Sequence, residues 1–223
     1  MNTEVEFLSV EQIRLYAEES LRLYSEKLGR GLAFPLNAED LARRVWGLDV
    51  YYDGEGYLDR EAGTSVLAVL FPERFVCPLT GTGKVIVIND APRFRRVTTG
   101  FSILHEVGHY HLQWIKGHWP PHHERKPIYC RSDDITGKTQ SRIPAIEWQA
   151  NRYAGEIYMP AREIPRLLDG KHPGPGEIIV MDVYKPILRH AFGASEAMVE
   201  KRLKDLGYRL LGARYPWAQT GFS

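Results

Sequence analysis

FSILHEVGHYHL, residues 101–112, decides how the rest of the chain is read. It lies in a stretch, Phe94 to Lys116, whose spacing predicts one long helix. Residues four apart on an α-helix are offset by only about 40°. His105 and His109 therefore project from one face, one turn apart, and both imidazoles can reach a single ion. Neutral imidazole is a good zinc ligand, and two of them leave positions for a third protein donor and a water. Glu106, one step round the helix, is poorly placed to ligate that ion and well placed to reach the water. Gly108 lets another backbone approach closely. The plainer account makes the two histidines hydrogen-bonded core residues and Glu106 a solvated charge. A lone histidine would favour it; the pair with an intervening glutamate on a predicted helix favours a metal site.

Such a site needs a third ligand. A metzincin would continue with Gly at 112 and His at 115, where this chain has Leu112 and Ile115, so that class is excluded. His111 falls about 200° round the helix from His109 and points away. His118, His122 and His123 belong to a Pro-containing loop and read as exposed. Downstream, AIEWQANRYAGEIY (145–158) predicts a second helix, stopped by Met159-Pro160. Glu147 stands at its start and Asn151 one turn later on the same face. Glu147 as ligand, with Asn151 behind a ligand, would complete a two-His, one-Glu site with an open position. Taken alone, Glu147 is more often a solvated carboxylate favoured by the helix start.

Around these segments the chain reads as α+β. Residues 10–28 predict an amphipathic helix ending at Gly29, and Asn37 suits the N-cap of a second helix that stops at Gly47. LDVYYD, TSVLAVLF and KVIVIN are β-rich runs, three or four strands of a small mixed or antiparallel sheet. GTGK at 81–84 lacks the spacing of a phosphate loop and precedes a strand, so a turn is the better reading. Residues 117–143 read as a long polar loop, and 187–208 (ILRHAFGASEAMVEKRLKDLGY) as a helix–turn–helix-like pair with Ser195 capping the second helix.

The 223 residues, 43 % hydrophobic and 26 % charged, suit a globular chain of one domain with a small addition. A net charge of +1 gives no electrostatic case for nucleic acid or a membrane surface. The acidic start lacks the apolar stretch of a signal peptide, and no apolar run is long enough to span a bilayer. Cys77 and Cys130 form no C-x-x-C pair and no secreted-type framework, so a cytoplasmic location is the default.

The strand IVIND, the helix TTGFSILHEVGHY, the pattern EWQANRYAGEIYMP, the PLNAEDLARRVWGLDV segment and AFGASEAMVEKRLKDLG together resemble the ImmA/IrrE metallopeptidases. The resemblance implies that His105, His109 and Glu147 bind zinc and that Glu106 is the catalytic base. It implies a zincin-like domain over 1–170, a helical, helix–turn–helix-like region over 171–223, and an architecture nearer the ImmA branch, without a sensor domain. It also implies a protein substrate, a helix–turn–helix repressor. Manganese or iron would also suit a His₂Glu donor set.

The expected activity is thus zinc-dependent endopeptidase cleavage of a regulatory protein. Tyr110, Tyr153, Arg142 and Arg152 are candidate donors to the oxyanion. Cys130, within Tyr129-Cys130-Arg131, could bring a thiolate to the zinc and block its open position, although a small buried hydrophobe is its plainer role. The alternative is a non-proteolytic, metal-containing module that binds protein or DNA through its C-terminal helices. Glu196 and Glu200 interrupt the basic residues of SEAMVEKRLKDL, which disfavours direct nucleic-acid binding. Glu106, useless to a closed structural zinc, favours catalysis.

Overall fold

The computed structural model describes residues 8–63, 65–91, 99–118, 127–131, 145–168 and 178–211. The chain is α+β and divides into two compact units, Met1–Tyr158 and Met159–Ser223.

The first unit opens with helix α1 (Val10–Leu28). Its start is fixed by a reciprocal cap in which Ser9 Oγ accepts from the Gln12 backbone N–H and the Gln12 side chain accepts from that of Ser9. Ile13, Ala17, Leu21 and Tyr24 form its buried stripe, and Gly29 ends it in the left-handed conformation (φ 63°). Helix α2 (Ala38–Trp46) is capped by Asn37 and ends at Gly47. Both helices match the spacing and capping signals of their sequence.

Four strands form a mixed sheet in the order β1-β3-β2-β4: β1 (Asp49–Asp53), β2 (Val66–Phe71), β3 (Val85–Asn89) and β4 (Ile128–Arg131). A short helix, α3 (Tyr57–Glu61), lies between β1 and β2. β1 runs parallel to β3, while β2 runs antiparallel to both β3 and β4. The two central strands are buried on both faces, which explains their unbroken apolar runs VLAVLF and VIVIN. Ala68, Leu70, Ile86 and Ile88 pack with the helices, whereas Val69, Phe71, Val85 and Val87 join Leu58 and Cys77 in a second cluster. GTGK lies in the connection between antiparallel β2 and β3, with Gly81 and Lys84 at positive φ.

Two departures from expectation bear on the site. β4 lies inside the segment read as a loop; three β-prone residues after Pro127 are too short a signal against their polar surroundings. The motif helix, α4 (Thr99–His109), continues as a π-helical turn over Tyr110–Ile115. Residues 94–98 of the expected helix lie outside the described residues. Such π turns cluster at functional sites. Helix α5 (Ala145–Tyr158) packs along α4.

The second unit contains α6 (Glu163–Leu167), α7 (Met181–Phe192) and α8 (Glu196–Asp205), with strand β5 (Ile178–Val180) parallel to β6 (Arg209–Leu211). Gly193 turns the chain at φ 62°, and Ser195 caps α8 by accepting from the Met198 backbone N–H at 3.2 Å. Leu188, Phe192, Val199 and Leu203 are buried, and the Arg202 guanidinium, also buried, donates to the Met159 carbonyl. Among the described residues, no helix is long and apolar enough to cross a membrane.

Candidate metal centre

The site is built where α4 and α5 touch, and Gly108 permits that contact. A Cβ added there would stand 3.0 Å from Tyr153 Cδ1, 3.2 Å from Ala150 Cα and 3.3 Å from the Ala150 carbonyl oxygen. Tyr153 cannot yield easily, because its hydroxyl is held by Ser20 at 2.6 Å and His111 at 3.0 Å. Gly108→Ala is therefore expected to push the helices apart. Overpacking of this kind costs ~1–3 kcal/mol, of which alanine's helix preference returns at most about 1 kcal/mol. Thermal unfolding of the metal-free chain should show a lowered Tm; an unchanged Tm would mean that the helices are free to separate.

Across this interface the structure brings His105, His109 and Glu147 together, one donor atom from each lying within 4.8 Å of the others. His105 Nε2 is 3.0 Å from His109 Nε2 and 3.1 Å from Glu147 Oε2, and His109 Nε2 is 3.4 Å from Glu147 Oε1. Both rings are held from behind. His105 Nδ1–H donates to Asn151 Oδ1 and His109 Nδ1–H to Gln113 Oε1, each at 3.0 Å. The Gln113 amide is itself oriented, since its NH₂ donates to Gln149 Oε1 at 3.4 Å. With Nδ1 of each ring engaged in this way, Nε2 is the nitrogen left to face the shared centre and bind a metal, His109 giving up its Nε2 proton as the metal enters. Gln113 and Gln149 were not singled out from sequence, although Gln113 stands one turn beyond His109 and could have been tried as its partner.

The electrostatics of this cluster call for positive charge at its middle. Burial alone would push the Glu147 carboxyl up, but the two imidazoles overcome it and hold the group well below the usual carboxylate range. Burial works against a charged His109 ring, yet Glu147 carries it up to about 9. For His105, burial wins and lowers the pKa. Two nitrogen donors and one carboxylate oxygen at these separations are a chemically apt set for zinc.

Glu106 is different in kind. Its side chain is completely buried, and neither carboxylate oxygen has a hydrogen-bond partner among the described residues. That desolvation pushes its pKa up to about 8, with His109 opposing the shift and Glu147 adding to it. An isolated buried carboxylate is costly, and costly unpaired groups concentrate where function needs them.

The remaining candidates turn elsewhere. His111 is buried against Trp46 (ring centroids 4.3 Å apart) and bonded to Tyr153, while His118 meets the Tyr16 hydroxyl at 3.0 Å. Of the expected oxyanion donors, Tyr110 donates to Glu73, Tyr153 is occupied by Ser20 and His111, and Arg152 pairs with Glu156 at 3.1 Å. The partners of Tyr110 and Tyr153 are distant in sequence and beyond the reach of spacing, whereas Glu156 stands one turn after Arg152 on the same helix. Arg142, His122 and His123 lie outside the described residues. No family model matches this chain, and no curated protein matches it either.

Proposed function

We propose that this protein is a zinc-dependent endopeptidase with a zincin-like catalytic unit, acting in the cytoplasm on a regulatory protein of the helix–turn–helix repressor type. One observation carries the reading: the Nε2 atoms of His105 and His109 and the Glu147 carboxylate converge beside Glu106, a buried carboxylate without a hydrogen-bond partner among the described residues. A zinc ion there, which manganese or iron could replace, would activate a water towards neutral pH and polarise the substrate carbonyl.

The chain's own groups supply the rest. Asn151 and Gln113 keep both rings in the ligating tautomer. Glu106 accepts a proton at its carboxylate as attack begins and returns it to the departing amine. Its desolvated setting favours the protonated form, which a nearby cation would oppose, so with metal bound the carboxylate would be ionised to accept the proton and able to hold it until the amine leaves. His105, Glu106 and His109 are themselves fully buried, so bulk water does not reach them freely.

The choice of substrate rests on the likeness of TTGFSILHEVGHY and EWQANRYAGEIYMP to the ImmA/IrrE peptidases. In the second unit, Lys185 is paired with Glu196 and lies 4.0 Å from Glu200. Charge neutralised in this way suits docking of a protein better than of a phosphate backbone. The test is metal content together with cleavage. The purified chain should carry stoichiometric zinc and cut a repressor-type protein, and both properties should disappear with a chelator and return with zinc. Cleavage indifferent to chelation would overturn the proposal.

A further inference from the structure

Cys130 stands on β4, opposite Ala68, and belongs to the cluster on the helix-covered face of the sheet. Beside it the β2–β4 register slips, Val66 facing Arg131 while Ala68 faces Cys130. A bulge of this kind bends a strand locally and re-aims its side chains. The Cys130 sulfur is fully buried, and Cys130, His105 and Glu106 each offer a donor atom within 4.8 Å of the other two. His105 thus belongs to two donor sets, one with His109 and Glu147 and one with Glu106 and Cys130.

Glu106 is the independent second observation. Its carboxylate, buried and without a hydrogen-bond partner among the described residues, brings an oxygen within 4.8 Å of the thiol sulfur. A tetrahedral zinc with ordinary bond lengths holds its sulfur and nitrogen ligands roughly 3.5 Å apart. Cys130 shares only His105 with the His105, His109 and Glu147 set, so joining that centre requires the thiol to swing past Glu106 towards it by rotation about χ1. Thiolate is also a preferred zinc ligand.

We propose that the Cys130 thiolate is an interchangeable fourth ligand, occupying the position otherwise held by the attacking water and closing the site into a latent form. The inference rests on the peptidase reading above. On closing, the metal–sulfur bond would form, the water leave, and the thiol proton go to solvent with it; nothing is oxidised or reduced. A permanently closed centre would leave Glu106 idle, whereas exchange between sulfur and water employs both residues.

The experiment is spectroscopy on the full chain. Loaded with cobalt(II), it should show sulfur-to-cobalt charge transfer in the near ultraviolet beside the visible bands of a tetrahedral ion. X-ray absorption of the zinc form should show a sulfur neighbour at about 2.3 Å. Cys130→Ala should lose both signals, keep its metal and hydrolyse peptide faster than the parent. Metal bound with no sulfur signal in the parent chain overturns the proposal while leaving the peptidase reading intact. A sulfur signal with no gain in hydrolysis for Cys130→Ala overturns latency, making the thiolate a structural ligand. Failure to bind cobalt or zinc at all removes both readings. If the alanine variant does not fold, X-ray absorption and cobalt titration of the parent, before and after thiol alkylation with hydrolysis measured alongside, decide the matter.

Discussion

Glu106→Gln should keep its metal and lose about 10²–10⁴-fold in kcat, the usual worth of a positioned general base. The amide matches the carboxylate in shape and cannot take up the proton. The substitution breaks no bond, because neither Glu106 oxygen has a hydrogen-bond partner among the described residues. Burial already favours the neutral form of Glu106, and the amide is neutral too, so the fold has no reason to fail. The measurements are zinc content and single-turnover cleavage. Normal cleavage would sink the role of Glu106 as base. Loss of the metal would make Glu106 a ligand instead, through the donor set it shares with His105 and Cys130.

That test matters because the two halves of the site were unequally legible. The spacing of His105, Glu106 and His109 is a helix-face argument, and a helix carries its own geometry wherever it packs. Asn151 followed in the same way, one turn beyond Glu147. Glu147 itself did not: a carboxylate in the first turn of a helix is ordinary, and only the packing of α5 on α4 through Gly108 places it beside both rings. The fold shows the same division. Ser9, Gly29, Asn37, Gly47 and Ser195 are local signals, and the elements they bound occur where expected. β4 and the β5–β6 pair are three or four residues long and exist through partners distant in sequence, so periodicity had nothing to act on. The contact of Cys130 with the site depends on that unseen strand. Likewise, His111 could be turned away from the metal by counting residues, but its partners Ser20, Trp46 and Tyr153 come from three separate helices.

Glu147→Ala should then have the second large effect, on metal affinity. Outer-shell partners of metal-bound histidines are worth about 10–100-fold in affinity. A direct anionic ligand touching both rings should exceed that, so a fall beyond about 100-fold in zinc affinity is expected by competition with a chromophoric chelator. Glu147→Gln separates the explanations. As a mere helix-start carboxylate, Glu147 would contribute only ~0.3–1 kcal/mol through the helix dipole. Replacing it by glutamine would then shift Tm slightly and leave zinc binding alone. As a ligand, it contributes the one negative charge that balances a cation between two neutral imidazoles. Glutamine keeps an oxygen in place but discards that charge, so zinc affinity should fall steeply while the unfolding temperature of the metal-free chain moves little. His109 limits the stability cost, since the charge that Glu147 sustains on its ring can leave as a proton once the carboxylate is gone. Zinc bound as tightly by Glu147→Gln as by the parent would remove Glu147 from the coordination shell, and with it the open His₂Glu centre on which the proposed hydrolysis depends.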